Sequence, residues 1–229
     1  MTASTGCDDP PGDPLTVPDS DVCNELVGPQ DCVTVPRVDR RTGDETEVDG
    51  VLSQNEYYGA FVLPYDNRLL EAEGGRVHVS IEDDGEPGNA EKLRVFMDDI
   101  PVSNANEIVV YLALERFASE PPGPEGGEDR AYAIPLDGSS PQFREPEWVG
   151  DEGSWTAASP PQPFTAALGS CSEVVEFAGG PGRTCDLELA AEIPAPFAEP
   201  ASGGDPGIGF AVADDNFDGM LPELALTTD

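Results

Sequence analysis

Between residues 48 and 117 the chain repeatedly alternates apolar and polar residues, with Gly, Pro, Asn and Asp in the gaps. GGRVHVSIEDD and NEIVVYLALERF are two examples. A period of two places one side of a segment in a core and the other in water, so each segment is predicted to be a half-buried antiparallel strand. The predicted strands cover 33–38, 58–63, 76–82, 92–98, 107–117, 131–135, 164–168, 173–177, 186–193, 208–214 and 222–226. About ten strands without a helical pattern are typical of an all-β fold, here an antiparallel β-sandwich of the jelly-roll type.

The remaining segments are rich in Pro, Gly and acidic residues. Residues 1–34 have no sustained periodicity and are predicted to form an irregular N-terminal tether to a sandwich domain over 35–229. Two long loops are expected, at 119–129 and at 139–163, and the second contains both tryptophans, Trp148 and Trp155. Long loops without strands of their own are frequently functional.

The charge balance narrows the choice of partners. The chain has 46 acidic and 11 basic residues, a formal net charge of -35, and Lys92 is its only lysine. Such a charge repels nucleic acid phosphates and anionic lipids, so neither is an expected partner. An acidic chain poor in lysine suits salty, halophilic conditions, because counter-ions screen its self-repulsion. A GC-rich genome explains the same composition, and both explanations remain open.

The five cysteines have no metal-ligand spacing, and the chain has a single histidine, His78. A zinc site is therefore not expected. Cys23 and Cys32 lie in one Pro/Asp-rich stretch, and Cys171 and Cys185 flank a predicted hairpin, so we predict two local disulfides in an oxidising, extracytoplasmic compartment. Five cysteines allow other pairings as well.

Cys7 is left over by these pairings and follows Ser-Thr-Gly. Small residues before a cysteine resemble the end of a bacterial lipoprotein signal, and a lipid on Cys7 would be the chain's one expected membrane tether. Two features argue against lipidation: no apolar signal core precedes Cys7, and Ser4 stands where such signals usually carry leucine. The alternative is an incidental or intermolecularly paired cysteine in a loose tail.

The segment ADDNFDGMLPE offers a candidate calcium site. Its predicted ligands are Asp214, Asn216, Asp218 and Glu223. Oxygens two residues apart can converge on one Ca²⁺ when a loop curls, and Gly219 permits the sharp turn. An EF-hand loop would have an acid at its twelfth position, where this chain has Ala225. The alternative is a solvated acidic turn.

Aromatic residues provide the candidate ligand-binding surface. Trp148 and Trp155 suit stacking on a sugar ring, although either could instead fold back and fill its loop. Tyr57 and Tyr58 are further candidates, and as neighbours in a strand they would face opposite sides. Catalysis is not expected, because VHVSI places His78 in a strand and no phosphate-binding Gly loop is present.

The order of several segments resembles the carbohydrate-binding module family 9-like domains, relatives of the DOMON β-sandwiches. The matching pieces are Asp49-Gly50 with Leu52, Glu56-Tyr57, the strand at 93–99, IVVYLALER at 108–116, LELAAEIP ending at Pro194, and GIGFAVADDNFDG at 207–219. The resemblance covers about residues 45–229, and Tyr57 stands where many such domains carry tryptophan. It implies a β-sandwich that binds carbohydrate.

Together these features predict a non-catalytic, extracytoplasmic binding module, most directly for carbohydrate and stabilised by calcium. The alternative is a structural or assembly component of a cell-surface or appendage complex. The expected partner is accordingly a glycan or a cell-surface protein.

Overall fold

The computed structural model describes residues 47–53, 56–57, 59–67, 70–83, 92–103, 106–113, 129–150, 152–158 and 164–192, together with the strand backbone of 32–34, 37–39, 207–214 and 224–227. Fourteen strands make up this part of the chain. They are β1 (Cys32–Thr34), β2 (Arg37–Asp39), β3 (Phe61–Asn67), β4 (Ala72–Asp83), β5 (Lys92–Ser103), β6 (Glu107–Ala113), β7 (Arg130–Pro135), β8 (Gln142–Val149), β9 (Glu152–Ala157), β10 (Phe164–Cys171), β11 (Val175–Phe177), β12 (Gly180–Glu192), β13 (Gly207–Asp214) and β14 (Leu224–Thr227).

The strands form two sheets. Sheet A has the order β1-β14-β13-β6-β7-β8-β9, and sheet B has the order β10-β12-β5-β4-β2, with β11 beside β12 and β3 beside β4. Pairing is antiparallel except for β1 with β14 and β2 with β4. No helix occurs among the described residues, and therefore none there could cross a membrane. The predicted all-β sandwich is confirmed.

The core lies between the sheets, as the alternation in the longest strands predicts. Val77, Val79 and Ile81 of β4 are fully buried, and β5 and β12 contribute their own alternate residues. Sheet A closes the core from the other side with Ile108, Val110, Leu112, Tyr132, Ile134 and Phe143. Burial of apolar area at about 25 cal/mol per Å² makes these inner faces the main source of stability.

One predicted loop is wrong. Residues 139–163 are expected from the sequence to lack strands, yet they contain the β8–β9 hairpin, paired from Arg144 with Ala157 to Val149 with Glu152. Pro146 obscures the strand pattern because proline cannot donate to a sheet ladder. Here β8 pairs with β7 only over Gln142–Arg144, so Pro146 has a described partner strand on one side only. A proline is tolerated at such a position.

Several predicted strand limits also shift. The segment predicted as 33–38 forms two short strands in different sheets, β1 in sheet A and β2 in sheet B, and β1 falls at the end of the predicted tether. The strand predicted at 58–63 begins only at Phe61, because residues 56, 57 and 59 lie in turns.

A disulfide joins Cys171 to Cys185, as predicted. The two cysteines lie opposite each other on β10 and β12, where the ladder shifts register between Leu168 and Cys171. The bond therefore fixes the two strands at an irregular point of their pairing. Cys23 and Cys7 lie outside the described residues, and Cys32 lies in β1.

Two glycines allow the chain before β3 to lie directly on β10. Gly50 is buried with a φ of 75°, and a Cβ at this position would come within 2.5 Å of the Gly169 backbone nitrogen. Gly169 in turn has no room for a side chain, because a Cβ there would meet the Gly50 carbonyl. Both the left-handed backbone and the close approach require glycine at position 50.

We predict that Gly50→Ala lowers the free energy of unfolding by about 2–4 kcal/mol, from backbone strain plus steric overlap. Gly138→Ala is the matched control, because Gly138 has a φ of 77° but a methyl group there would have no neighbour within 4 Å. The control should lower the free energy of unfolding only by the backbone strain, about 1–2 kcal/mol. Urea denaturation measures both, and equal losses would show that the contact with Gly169 is unimportant.

Candidate functional site

The outward side of sheet A follows from the residues that face the core. Ile108, Val110 and Leu112 of β6 point inward, so Glu107 and Tyr111 lie on the opposite side. Tyr111 is paired with Ala131, and Ala131 is paired with Arg144. Directly opposed residues share a face of a sheet, so this row continues the outward side from β6 to β8.

Trp148 and Trp155 lie on this same outward side. Trp155 is opposite Pro146, two residues beyond Arg144, and Trp148 is opposite Gly153. The two tryptophans are therefore diagonal neighbours on one face of the β8–β9 hairpin. The sequence predicts them in one loop, and the structure places them on one hairpin face.

The two indole rings have different surroundings. Trp155 is partly buried, and its ring lies 5.6 Å from that of Tyr111 at an interplanar angle of 52°. Strands β7 and β8 lie between the strands that carry these two residues, so the rings meet across the sheet. Trp148 is 49% exposed, and Gly153 opposite it has no side chain to cover it. Trp148 thus offers an accessible aromatic surface, and the ring of Trp155 packs against that of Tyr111.

An ion pair lies near Tyr111. Arg144 Nη2 donates to Glu107 Oε1 at 2.7 Å, and the two side chains are 26% and 18% exposed. Burial of Tyr111, only 2% exposed, raises the pKa of its hydroxyl well above the usual value, so that the group stays neutral. The face combines aromatic rings with polar groups whose charges are paired.

Tyr57 lies elsewhere, on the outward side of sheet B. Its ring contacts those of His78 and Phe96, with centroids 6.0 and 5.7 Å away. Its hydroxyl donates to Glu188 Oε1 at 2.8 Å. Desolvation and the neighbouring Glu188 raise the pKa of Tyr57 far above its normal value. The structure therefore separates Tyr57 from the two tryptophans.

Glu188 anchors the covering segment, which we define as residues 47–53 and 56–57. Its side chain is completely buried, and Oε2 accepts from the backbone N–H groups of Asp49 and Gly50 at 3.0 and 3.2 Å. Arg94 Nη2 donates to Oε1 at 2.8 Å. With Tyr57, Glu188 accepts four hydrogen bonds from β5 and from the covering segment.

Arg94 is surrounded by further carboxylates. Glu56 and Glu82 each approach its guanidinium to 3.9 Å, in addition to Glu188. Burial raises the pKa of Glu56, as does the nearby Glu188, while Arg94 opposes the shift. His78 borders the cluster, and burial lowers the pKa of its imidazole. Within the described ranges, no group of three or more His, Cys, Asp or Glu residues is placed to hold a metal ion.

Several predicted site residues fall outside this description. Asp214 ends β13, where only its backbone is described, opposite Ile108. The other members of the predicted calcium loop, Asn216, Asp218 and Glu223, lie outside the described residues, as do Tyr58 and Cys7.

The alternation pattern gave no indication of the Arg94–Glu188 pair. It placed both residues on the outward side of their strands, which predicts contact with solvent, whereas the covering segment buries them. One signal was present: the pieces of the family resemblance at Asp49-Gly50, Glu56-Tyr57, 93–99 and LELAAEIP all contribute to this cluster.

Comparison with known proteins adds little about ligand or role. No family model matches the chain, and no curated protein matches it. A similar solved structure is that of a "putative carbohydrate-binding protein" from Bacteroides uniformis, with 11% sequence identity and a TM-score of 0.45. The match covers 86% of this chain and 88% of that one. At this level of similarity, the ligand of that protein does not transfer to this chain.

We predict that Arg94→Met lowers the free energy of unfolding by about 3–5 kcal/mol, because it leaves buried Glu188 without its cation. Glu107→Gln is the comparison, since it breaks the partly exposed Arg144 pair and should cost less than about 1 kcal/mol. Urea denaturation of both variants measures the difference.

The double variant Arg94→Met/Glu188→Met should not regain the lost stability. It leaves the N–H groups of Asp49 and Gly50 and the Tyr57 hydroxyl without their acceptor. Recovery to the wild-type value would contradict the anchoring role of Glu188.

Proposed function

We propose that this chain is a non-catalytic binding module for carbohydrate, with the β8–β9 face of sheet A as its ligand surface. The observation that supports this most directly is the position of Trp148 and Trp155 on one hairpin face, with Trp148 half exposed. The paired strand ladder fixes the backbone positions of both tryptophans, and the contact with Tyr111 orients the ring of Trp155. Preorganised aromatic groups bind with little loss of conformational entropy.

The chemistry of this face suits a sugar ring. The C–H face of a pyranose packs on an indole through dispersion and burial, and Trp148 presents such a plate. Arg144, two residues before Pro146 on β8, and its partner Glu107 on β6 carry donors and an acceptor for hydroxyl groups of a longer glycan. Tyr57 is not part of the proposed surface, because its hydroxyl binds Glu188 over the other sheet.

An extracytoplasmic location belongs to the same proposal. The Cys171–Cys185 disulfide is compatible with an oxidising compartment, where such bonds persist. A lipid on Cys7 would then tether the module to a membrane surface.

A second candidate is an assembly role at the cell surface. It is favoured by large apolar side chains that the structure leaves exposed, namely Val51, Leu52, Val62, Val174 and Val175. Val62 lies on the outward side of sheet B, opposite His78. Exposed apolar residues of this kind are a feature of protein contact surfaces when they form one patch.

We predict that Trp148→Ala weakens glycan binding at least about tenfold, because a central aromatic contact is typically worth about 1.4 kcal/mol or more. The measurement is isothermal titration with a panel of soluble plant and bacterial glycans. Val174→Ala is the control, since it removes an exposed apolar side chain next to β11 and should leave the affinity unchanged.

The unfolding midpoint of Trp148→Ala should stay near that of the wild type, because its side chain is half exposed. Absence of binding to every glycan tested, together with concentration-dependent self-association, would replace the carbohydrate proposal with the assembly role.

Calcium is the proposed stabilising ion, through Asp214, Asn216, Asp218 and Glu223. At fixed NaCl, Ca²⁺ at about 100 times its dissociation constant should raise the unfolding midpoint by roughly 5–10 °C. Asp218→Asn should abolish the rise, whereas Glu173→Gln, at an exposed position, should preserve it. A midpoint that responds to NaCl but not to Ca²⁺ would assign the acidic residues to salt tolerance instead.

A further inference from the structure

We propose that Glu107 determines the charge of the ligand, by occupying Arg144 so that the β8–β9 face accepts uncharged glycans and rejects uronates and sulfated sugars. This inference rests on the proposed carbohydrate-binding function. It concerns which chemical class of glycan the same face would take.

Positive charge is scarce on this face. The basic side chains described in sheet A are Arg130 and Arg144. Arg130 is opposite Leu112, which faces the core, so its side chain belongs to the other side of the sheet. Arg144 is therefore the cation that the described part of this face could present to an anionic sugar.

The charge of Arg144 is already neutralised by Glu107. The contact of 2.7 Å with Glu107 Oε1 is a charge-assisted hydrogen bond, which is about twice as strong as a neutral one. Both partners are only partly exposed, so water screens the pair less than it would a fully exposed one. A carboxylate or sulfate would have to compete with Glu107 for the guanidinium.

The net charge adds to this competition. The chain as a whole carries a formal charge of -35, which repels an approaching anion at long range. Salt weakens this repulsion, since the screening length is about 8 Å at physiological ionic strength.

The same pair remains suitable for hydroxyl groups. A guanidinium has five N–H donors and a carboxylate has two acceptor oxygens, while their mutual hydrogen bond uses one of each. A neutral sugar diol can accept from Arg144 and donate to Glu107 without displacing either. This arrangement recognises hydroxyl groups and offers nothing to an additional negative charge.

The test compares matched polymers by affinity electrophoresis and isothermal titration, at low and at high NaCl. Hydroxyethyl cellulose is paired with carboxymethyl cellulose, and galactan with polygalacturonate. We expect the wild type to bind a neutral polymer at least about tenfold more tightly than its anionic counterpart at both salt concentrations.

Glu107→Gln should release the Arg144 charge and strengthen binding to the anionic polymer about tenfold, so that the preference for the neutral polymer is lost. Glu173→Gln removes the same charge from an exposed position near β11 and should change neither affinity. The double variant Glu107→Gln/Arg144→Gln should lose the gain, which attributes it to Arg144. Thermal unfolding confirms that each variant is folded.

The outcomes separate the two proposals. Wild-type protein that binds the anionic polymers as well as the neutral ones overturns the role of Glu107 and leaves carbohydrate binding in place. Equal gains for Glu107→Gln and Glu173→Gln also overturn it, because they indicate a general charge effect. Wild-type protein that binds none of the polymers removes the proposed function and this inference with it.

Discussion

The buried carboxylate of Glu188 is the constraint on which the arrangement of sheet B depends. A carboxylate removed from water is stable only when its oxygens are paired with donors. Here the donors come from Arg94 on β5 and from Asp49, Gly50 and Tyr57 of the covering segment. Displacing the segment would leave a partly unpaired charge, so these hydrogen bonds hold the segment over the sheet. The approach of Gly50 to Gly169 then fixes how closely it lies.

The outward sides of the two sheets differ as a result of this constraint. Around Glu188 the outward side of sheet B is covered by the chain's own residues, and the polar groups there serve stability. On sheet A, β8 carries a half-exposed Trp148 and, four residues earlier, Arg144 in a partly exposed ion pair, so this side retains groups that a ligand can reach. Because the two clusters share no residue, changes at Trp148 or Glu107 should act on binding with little effect on folding, and changes at Glu188 the reverse.

Alternation alone identified the strands that build the core, since residues such as Val77, Val79 and Ile81 follow a period of two without interruption. It missed the β8–β9 hairpin, where Pro146 breaks the pattern, and therefore could not show that Trp148 and Trp155 share a face. It also gave no sign that Arg94 and Glu188, on the outward side of their strands, are buried. Pairing between residues 94 positions apart depends on register and on a segment that packs from outside the sheet, and neither is encoded in local periodicity.

The paired arginines also bear on what the acidic composition does. Arg94 and Arg144 are both committed to carboxylates, and 46 acidic against 11 basic residues leave a surplus of 35 that side chains cannot neutralise. Ions in solution have to screen that surplus, which ties the stability of the compact state to salt. An uncharged ligand is indifferent to the same screening. Under the proposed function, the affinity for a neutral sugar would stay constant while the stability changes with ionic strength, because stacking and hydroxyl hydrogen bonds carry no net charge.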